Sequence, residues 1–375
     1  MKDEGVDDGI VFYSEGKAYA PYLHPIINAL AGLYEKHIYY ITSDCFDPMY
    51  MEPPERVKAY FIGKGGMRTY VFSKMRARIL AMTMPDLNTF HIKRSPGVDH
   101  YTYFHHSLVS THMVYRKGAF DHFDSIMCVG KYHKAEILEQ ENLAGLPPKK
   151  LFRHGSPPLD ALMAIAERSP PRVNNQKKLL NILLAPSWGP TGIIETCAYE
   201  IVEVLLKNGH FVKIRPHPRT RQLSSKVLSK LFLKFSADPN FEMNEDISQH
   251  EDLIQADVLI SDWSGVAMEF AFGLERPVLF IDVPRKINNT EYENLKIEPL
   301  EVSYRQTVGM VMTPDEIHLL PAFLSNLLLK AEQKRTAMIH LRQKLFYNLG
   351  NSAEIGAKTL VKIADGINKA SVSEI

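Results

Sequence analysis

The sequence predicts an α/β fold of two domains, each built on a parallel β-sheet. Short apolar runs alternate with helical patterns along the chain, and this βαβ rhythm is typical of parallel strands joined by right-handed crossovers. The rhythm stops at ERSPPRVNNQKK (167–178), where paired prolines and paired asparagines indicate an interdomain linker, and then starts again. A chain of 375 residues is long enough for two buried cores. We therefore expect two Rossmann-like domains, with a ligand in the cleft between them at the carboxyl ends of the strands.

The first domain is predicted to span residues 1–166. A helical pattern at YLHPIINALAGL (22–33) lies between its first two strands and predicts a helix packed on a sheet. Its apolar runs predict strands at 9–14, 37–43, 58–63, 77–83 and 125–130.

The second domain is predicted over residues 179–350, followed by a C-terminal segment at 351–375. In that last segment, a helix is predicted over 351–367, with Asn351 as its N-cap and Glu354 in the reciprocal position of a capping box. The patterns of the second domain predict strands at 179–187, 210–216, 256–261 and 276–282 and a helix over 195–209.

The composition excludes several classes of protein. With 45% hydrophobic residues, 23% charged residues and a net charge of +1, the chain has no global attraction to nucleic acid or to an anionic membrane. We find no run of about 18 apolar residues that would span a bilayer, and the acidic start MKDEGVDDG is unlike a signal peptide. The cysteines at positions 45, 128 and 197 follow no CxxC pattern, so we expect reduced core residues and a cytoplasmic protein.

A polar turn, SDWSG (261–265), lies between an apolar strand and an apolar helix. Ser264 is the predicted N-cap of that helix, and Gly273 is its predicted left-handed C-terminal stop. The first turn of a helix has backbone N–H groups without partners, and Gly265 lets an anion approach them, so the turn is predicted to bind phosphate. An ordinary capped helix fits this stretch equally well. Glu269, on the same helix, is predicted either to bind ribose hydroxyls or to lie in solvent.

The segment KIRPHPRT (213–220) follows a predicted strand and therefore lies at the carboxyl end of a sheet. Prolines on both sides of His217 stiffen the loop, and Arg215 and Arg219 flank it. A rigid histidine between two guanidinium groups suits a phosphate or a developing oxyanion. The alternative is a surface turn with scattered basic residues.

Six histidines between His105 and His154 raise the question of a zinc site. Their spacings argue against it, because His106 and His112 share no helical face and no HExxH or CxxC pattern accompanies them. A single histidine acting as a general base is the better functional interpretation. The other histidines are predicted to be partly buried or surface residues.

These stretches together resemble the CDP-glycerol glycerophosphotransferases, which build teichoic acids and related capsule polymers. HHS (105–107) stands where that family has a Trp-His-Gly motif, so His106 matches the family's proposed base and Ser107 replaces glycine. GSPPLDAL (155–162) is similar to the family's Gly-x-Pro-Arg-Asn-Asp segment.

The second half carries further matches. ILLAPSW (182–188) is similar to the family's Ile-Leu-Tyr-Ala-Pro-Thr-Trp, and IRPHP matches its Arg-x-His-Pro through Arg215 and His217. NLGNSAEIG (348–356) resembles its closing segment before the last helix.

The polar turn resembles the family's Thr-Asp-Tyr-Ser-Ser-(x)3-Asp pattern. Asp262 and Ser264 match, Gly265 takes the place of the second serine, and Glu269 takes the place of the last aspartate. The turn therefore departs from the pattern at two of the positions that the family uses.

The resemblance implies a GT-B fold, in which two Rossmann-like domains face each other across a cleft and the last helix crosses back to the first domain. It implies transfer of glycerophosphate, or a similar polyol phosphate, from a CDP-activated donor to a hydroxyl of a polymer or lipid-linked acceptor, with release of CMP and without a metal or cofactor. His106 would take the acceptor's proton, and His217 with Arg215 would neutralise charge on the phosphoryl oxygens. The donor side would comprise Ser187, Arg215, Asp262, Ser264, Gly265, Val266 and Glu269, and the acceptor side Glu15 and Tyr19.

Two alternatives are compatible with the same fold. One is a nucleotide-sugar glycosyltransferase or a sugar epimerase, and the other is a protein that binds nucleotide without catalysis. The sequence leaves open the polyol, the acceptor, attachment to the inner face of the membrane and assembly into a homo-oligomer.

Overall fold

Two parallel β-sheets form the framework of the protein in the computed structural model, which describes residues 9–89, 92–168, 179–244 and 250–373. The strands of the first sheet are β1 (Ile10–Ser14), β2 (Ile38–Thr42), β3 (Val57–Phe61), β4 (Arg76–Met82), β5 (Gly97–Phe104), β6 (Ser125–Cys128) and β7 (Lys150–Arg153). Those of the second are β8 (Asn181–Leu184), β9 (Phe211–Ile214), β10 (Phe241–Met243), β11 (Val258–Ser261), β12 (Val278–Ile281) and β13 (Gly309–Met312).

The strand order has the same logic in both sheets. It is β3-β2-β1-β4-β5-β6-β7 in the first and β10-β9-β8-β11-β12-β13 in the second, with every neighbouring pair parallel. The order reverses between β1 and β4 and again between β8 and β11. Ligands of open parallel sheets bind beyond the carboxyl ends of the strands at such reversals, so each sheet offers one side of a binding cleft.

Helices connect the strands and cover the sheets. They are α1 (Ala20–Leu33), α2 (Pro48–Met51), α3 (Gly66–Lys74), α4 (Lys131–Ala144), α5 (Pro157–Arg168), α6 (Ile193–Thr196), α7 (Ala198–Lys207), α8 (Pro218–Leu223), α9 (Ser225–Phe235), α10 (Glu251–Gln255), α11 (Gly265–Leu274), α12 (Leu300–Ser303), α13 (Arg305–Val308), α14 (Leu320–Leu329), α15 (Ala331–Leu345) and α16 (Ser352–Ser373). Every residue of β1, β2, β11 and β12 is buried, which is why these strands read as short continuous apolar runs. Within the described residues, no helix is long and apolar enough to cross a membrane.

The last helix returns to the first domain. Ala357, Leu360 and Ala364 of α16 are buried in one cluster with Ile26 and Leu30 of α1. Small residues on α16 let the two helices approach closely, so α16 joins the end of the chain to the first sheet.

The start of α16 differs from the predicted capping box. The backbone N–H groups of Gly350 and Ser352 donate to the two carboxylate oxygens of Asp160 at 2.7 and 2.8 Å. Glu354 forms an ion pair with Lys358. A carboxylate from α5, distant in sequence, therefore satisfies the first N–H group of this helix and one N–H group of the turn before it.

The stop of α11 was predicted wrongly. Gly273 lies inside the helix, and Glu275 has the left-handed conformation, with a φ of 56°. A Cβ at Gly273 would stand 2.6 Å from Cβ of Leu162, so glycine is needed there for the close crossing of α5 and α11.

Other differences concern strands and cysteines. The sequence patterns did not predict β5, β7, β10 and β13, because these strands are polar or short. Cys128 and Cys197 are buried as expected, whereas Cys45 is exposed. The predicted linker overlaps α5 at its first two residues, and positions 169–178 lie outside the described residues.

Candidate functional site

A cavity of about 740 Å³ opens between the carboxyl ends of the two sheets. The loops that follow β1, β4 and β5 form one wall, and those that follow β8, β9, β11 and β12 form the other. The predicted site residues that line it are Glu15, Tyr19, His106, Ser187, Arg215, His217, Ser264, Gly265, Val266 and Glu269. Asp262, which was also predicted for the site, is not in the lining.

His106 lies two residues beyond the end of β5 on the first-domain wall. Its Nδ1 is 2.9 Å from the carbonyl oxygen of Thr83 and 3.2 Å from the hydroxyl of Tyr103. A carbonyl only accepts hydrogen bonds, so Nδ1 carries the proton of the neutral ring and Nε2 keeps its lone pair. The ring is therefore arranged as a proton acceptor.

The surroundings of His106 keep it uncharged. Rings of Tyr19, Tyr22 and Tyr115 stand edge-on to the imidazole, with centroids 5.4, 6.4 and 5.8 Å away. Burial among them lowers the pKa of His106 to about 4, against a smaller opposing effect of the bond to Thr83. The lone pair on Nε2 is consequently available throughout the physiological range.

Glu15 and Tyr19, predicted for the acceptor side, lie on the same wall in the loop after β1. They are hydrogen-bonded to each other, and burial raises the pKa of Glu15, while Tyr19, Arg68 and Arg219 oppose that rise. The Tyr19 ring thus stands beside the imidazole, and Glu15 lines the same cavity, where the two side chains can contact a polyol.

His217 occupies the second-domain wall as the N-cap of α8. Its Nδ1 accepts a hydrogen bond from the backbone N–H of Arg219 at 3.1 Å. In the neutral ring the proton is therefore on Nε2, which is the reverse of His106. His217 can donate a hydrogen bond into the cavity.

Burial also removes the charge of His217. Its pKa is lowered to about 3, first by desolvation and then by the positive charges of Lys286 and Arg219. The resemblance implies that His217, with Arg215, neutralises charge on the phosphoryl oxygens, and in this environment the ring itself is neutral. A neutral imidazole stabilises an oxyanion as a hydrogen-bond donor.

The positive charge of this wall comes from other residues. Lys286 and Arg219 lie over the ring of Trp188, at 3.9 and 4.0 Å from its centroid. Burial lowers the pKa of Lys286 to about 8, partly countered by Asp262. Arg215, at the end of β9, is only 8% exposed. Three cations, Arg215, Arg219 and Lys286, therefore line the same cavity as His217, which suits a diphosphate.

The start of α11 faces the same space. Ser264 is its N-cap, but the side chain of Ser264 makes no capping hydrogen bond. The backbone N–H of Ala267 donates to the carbonyl oxygen of Ser264 at 3.1 Å. The N–H groups of Gly265 and Val266 come before the first bond within the helix, and the helix dipole is positive at this end. Gly265 and Val266 bring those groups to the cavity surface. The geometry matches an anion site.

Glu269 bridges the two domains. Its Oε1 accepts a hydrogen bond from the hydroxyl of Tyr22 in α1 at 2.7 Å. Burial raises the pKa of Glu269, and the bond to Tyr22 and the nearby charge of Arg215 oppose that rise. The sequence left open whether Glu269 faces a ligand or lies in solvent. Its side chain lines the cavity and is only 7% exposed, which excludes a solvated carboxylate.

Asp262 supports the wall from behind. It is 1% exposed, and its Oδ1 accepts a hydrogen bond from the backbone N–H of Ser187 at 2.7 Å. Burial raises the pKa of Asp262, with the bond to Ser187 as the largest opposing cause. Asp262 therefore orients the loop after β8 from behind the cavity lining.

Tyr22, Trp188 and Lys286 are among the lining residues to which the sequence analysis assigns no role. Lys286 lies in the loop five residues beyond the end of β12. The rule that ligands bind at the carboxyl ends of parallel strands would have found it. The pairing of Tyr22 with Glu269 joins distant parts of the chain and left no local signal.

Three other histidines of the first domain, His105, His112 and His133, are buried and pack within the protein. The rings of His105 and His133 pack at a centroid distance of 4.0 Å, and His112 lies 3.6 Å from Glu136. Over the described ranges, no three His, Cys, Asp or Glu side chains are grouped so that they could hold a metal ion.

The amino-acid sequence matches a family model over residues 100–292, which is that of CDP-glycerol:poly(glycerophosphate) glycerophosphotransferase. The match spans more than half of the chain and includes the segments of both histidines. No curated protein has a significantly similar sequence.

Solved structures share the architecture at low sequence identity. The wall teichoic acid polymerase TagF superposes with a TM-score of 0.64 and 14% identity, over 96% of this chain and 90% of that chain. UDP-GlcNAc 2-epimerase from Neisseria meningitidis, bound to UDP-GlcNAc, superposes with a TM-score of 0.56 and 15% identity, over 94% of this chain and 99% of that chain. At these identities the likeness concerns the fold, and it confirms the expected GT-B arrangement.

Proposed function

Because the chain belongs to the CDP-glycerol:poly(glycerophosphate) glycerophosphotransferase family, we propose that its cavity performs this transfer with His106 as base and His217 as donor to the phosphoryl group. One observation carries the assignment of roles. The two imidazoles line the same cavity in opposite tautomers, one with a free lone pair on Nε2 and one with a proton there.

The donor is CDP-glycerol, held by the second domain. Its diphosphate lies between the start of α11 and the cations Arg215, Arg219 and Lys286. These groups are fixed before the donor arrives, so little reorganisation is needed when charge develops. Glu269, through its carboxylate, faces the hydroxyls of the bound donor.

The acceptor is a hydroxyl that enters from the first-domain wall, beside Glu15 and Tyr19. Its oxygen attacks the β-phosphorus while its proton moves to Nε2 of His106. The bond from the β-phosphorus to the bridging oxygen breaks, and the electron pair leaves with CMP. His217 donates through Nε2 to a phosphoryl oxygen during this step. Positioning and charge stabilisation are the main demands of phosphoryl transfer, and this wall supplies both.

We expect the reaction to need no metal, because three cationic side chains and a helix start already face the diphosphate. The test is turnover in the presence of EDTA. Activity that disappears with EDTA and returns with a divalent ion would contradict this part of the proposal.

The acceptor is proposed to be a glycerophosphate polymer or its lipid-linked primer, formed at the inner face of the cytoplasmic membrane. Support comes from the family's description and from the fold that the chain shares with a wall teichoic acid polymerase. Sedimentation with vesicles that carry the lipid-linked primer, compared with bare vesicles, tests the association. Equal sedimentation with both would leave the lipid itself, and not the acceptor, as the binding partner.

A ligand screen tests the donor assignment. We expect CDP-glycerol and CMP to raise the melting temperature, since a ligand that binds only the folded state stabilises it. CDP-ribitol tests the polyol, and release of CMP from CDP-glycerol by the purified protein with an acceptor tests the reaction. A larger increase in melting temperature with UDP than with CDP at equal concentration would indicate a nucleotide-sugar enzyme of the same fold.

A further inference from the structure

We infer that the hydroxyl of Ser107, in the first domain, binds the donor's diphosphate at the start of α11 in the second domain. Gly265 leaves the space for that hydroxyl. The inference rests on the proposed function, because it names a further ligand of the same donor. It assigns Ser107 a binding role that neither histidine supplies.

The two residues meet across the cleft. Both line the cavity, and a Cβ added to Gly265 would overlap Oγ of Ser107. Gly265 is the first residue of α11 and is not among the described glycines with positive φ. Space, and not backbone conformation, is therefore the reason for glycine at this position.

The hydroxyl of Ser107 is placed to donate to an anion. Its Oγ accepts a long hydrogen bond, 3.4 Å, from the backbone N–H of Val109. That bond uses a lone pair and leaves the hydroxyl proton for another acceptor. Gly265, the first residue of α11, lies opposite this hydroxyl, and the first N–H groups of a helix favour an anion. A phosphoryl oxygen there would receive bonds from both domains.

The sequence departs from the resembling family at the same two positions. Ser107 stands where the family has glycine, and Gly265 stands where it has serine. One hydroxyl fits between the two chain segments and two do not, so the departures compensate each other. In this chain the hydroxyl comes from the residue next to His106, which couples donor binding to the position of the proposed base.

The test is a double-mutant cycle in which the Kd of each variant for CDP-glycerol is measured by calorimetry. Ser107→Gly and Ser107→Ala should each weaken binding about 10- to 100-fold, the range for a hydrogen bond to a charged group. Gly265→Ala should weaken it similarly, because the added methyl group displaces the hydroxyl. The double variant Ser107→Gly/Gly265→Ser returns the hydroxyl from the opposite side and should bind within about threefold of the native protein.

Gly66→Ser is the matched control. Gly66 is also the first residue of a helix, and a Cβ there meets nothing within 4 Å. The Kd of the Gly66→Ser variant for CDP-glycerol should therefore equal that of the native protein. The melting temperature of each variant identifies any that fails to fold, and Ser107→Ala then decides, since it removes one oxygen only.

Two results would overturn the inference while the proposed function stands. Native binding in Ser107→Ala shows that the hydroxyl does not contact the donor. A double variant as weak as Ser107→Gly shows that the hydroxyl is not exchangeable across the cleft. Absence of cytidine-nucleotide binding by the native protein would instead refute the proposed function, and this inference with it.

Discussion

The two walls of the cleft differ in the residues that surround their histidine. The first-domain wall places His106 among tyrosine rings, and the second-domain wall places His217 beside Lys286 and Arg219. Both histidines are neutral for the same reason, which is burial. Their hydrogen-bond partners differ, a carbonyl oxygen for one and a backbone N–H for the other.

The comparison shows that residue type does not define a catalytic role. Burial takes away the charge of both rings, and one local hydrogen bond then decides whether Nε2 accepts or donates a proton. The base lies where neighbours are uncharged, and the donor lies where cations can hold a phosphate. The predictions below test this division, in order of decreasing effect.

His106→Ala should lower the single-turnover rate by about 100- to 10,000-fold, as is typical for loss of a general base. The Kd for CDP-glycerol, measured by calorimetry, should remain nearly native, because the residue belongs to the acceptor wall. If the variant loses donor binding but retains the rate for what still binds, the roles of the two walls are reversed.

His217→Ala should lower the rate by about 100- to 1,000-fold, the effect of removing one donor to a developing oxyanion. Unlike His106→Ala, it should also weaken donor binding if the ring already contacts the ground-state phosphate. His217→Gln is the matched control, because its amide can still donate near the position of Nε2, and it should recover part of the rate. A glutamine variant no better than alanine would argue against a neutral donor.

Lys286→Met should weaken CDP-glycerol binding by about 10- to 100-fold, because it removes a charged hydrogen-bond donor from the diphosphate site. Lys226, exposed on α9 and outside the cavity lining, offers the control: Lys226→Met removes the same charge without touching the cleft. Equal affinities of the two variants would show that Lys286 does not contact the donor.

The pH profile of kcat/KM should be flat from about pH 5 to 7.5, since this ratio reports the pKa values of the free enzyme. His106 is active when deprotonated, and its pKa of about 4 places the acid limb well below that of an ordinary histidine. Lys286 binds the donor when protonated, so activity should fall as the pH rises through its pKa of about 8. Lys286→Arg should abolish this basic limb, and a break near pH 6.5 in the native protein would contradict the neutral state of His106.

The fold could be predicted in outline because parallel strands buried on both faces are continuous apolar runs. Strand β11 shows this, with all of its residues buried. Strand β5 was not predicted, because its sequence GVDHYTYF includes polar residues, and two of them, His100 and Thr102, are buried only through tertiary contacts. Gly273 was wrongly predicted to end its helix for a related reason. Glycine is needed there because α11 crosses close to Leu162 of α5, and this contact leaves no signal in the local sequence.

The sequence by itself determined which residues could meet. The motifs around His217 and Ser264 each follow a predicted strand of the second domain, and the carboxyl ends of parallel strands share one edge of a sheet. Their collection at one wall of the cleft therefore follows from local patterns, whereas β5, the strand before His106, was not predicted.

Only the tertiary structure decided what each residue can do there. The tautomer of His106 depends on the carbonyl oxygen of Thr83, which is distant along the chain, and the charge of His106 and His217 depends on the burial of each ring. The contact of Ser107 with Gly265 joins chain segments more than 150 residues apart. Periodicity reports on neighbours along the chain, whereas hydrogen-bond direction and desolvation depend on neighbours in space.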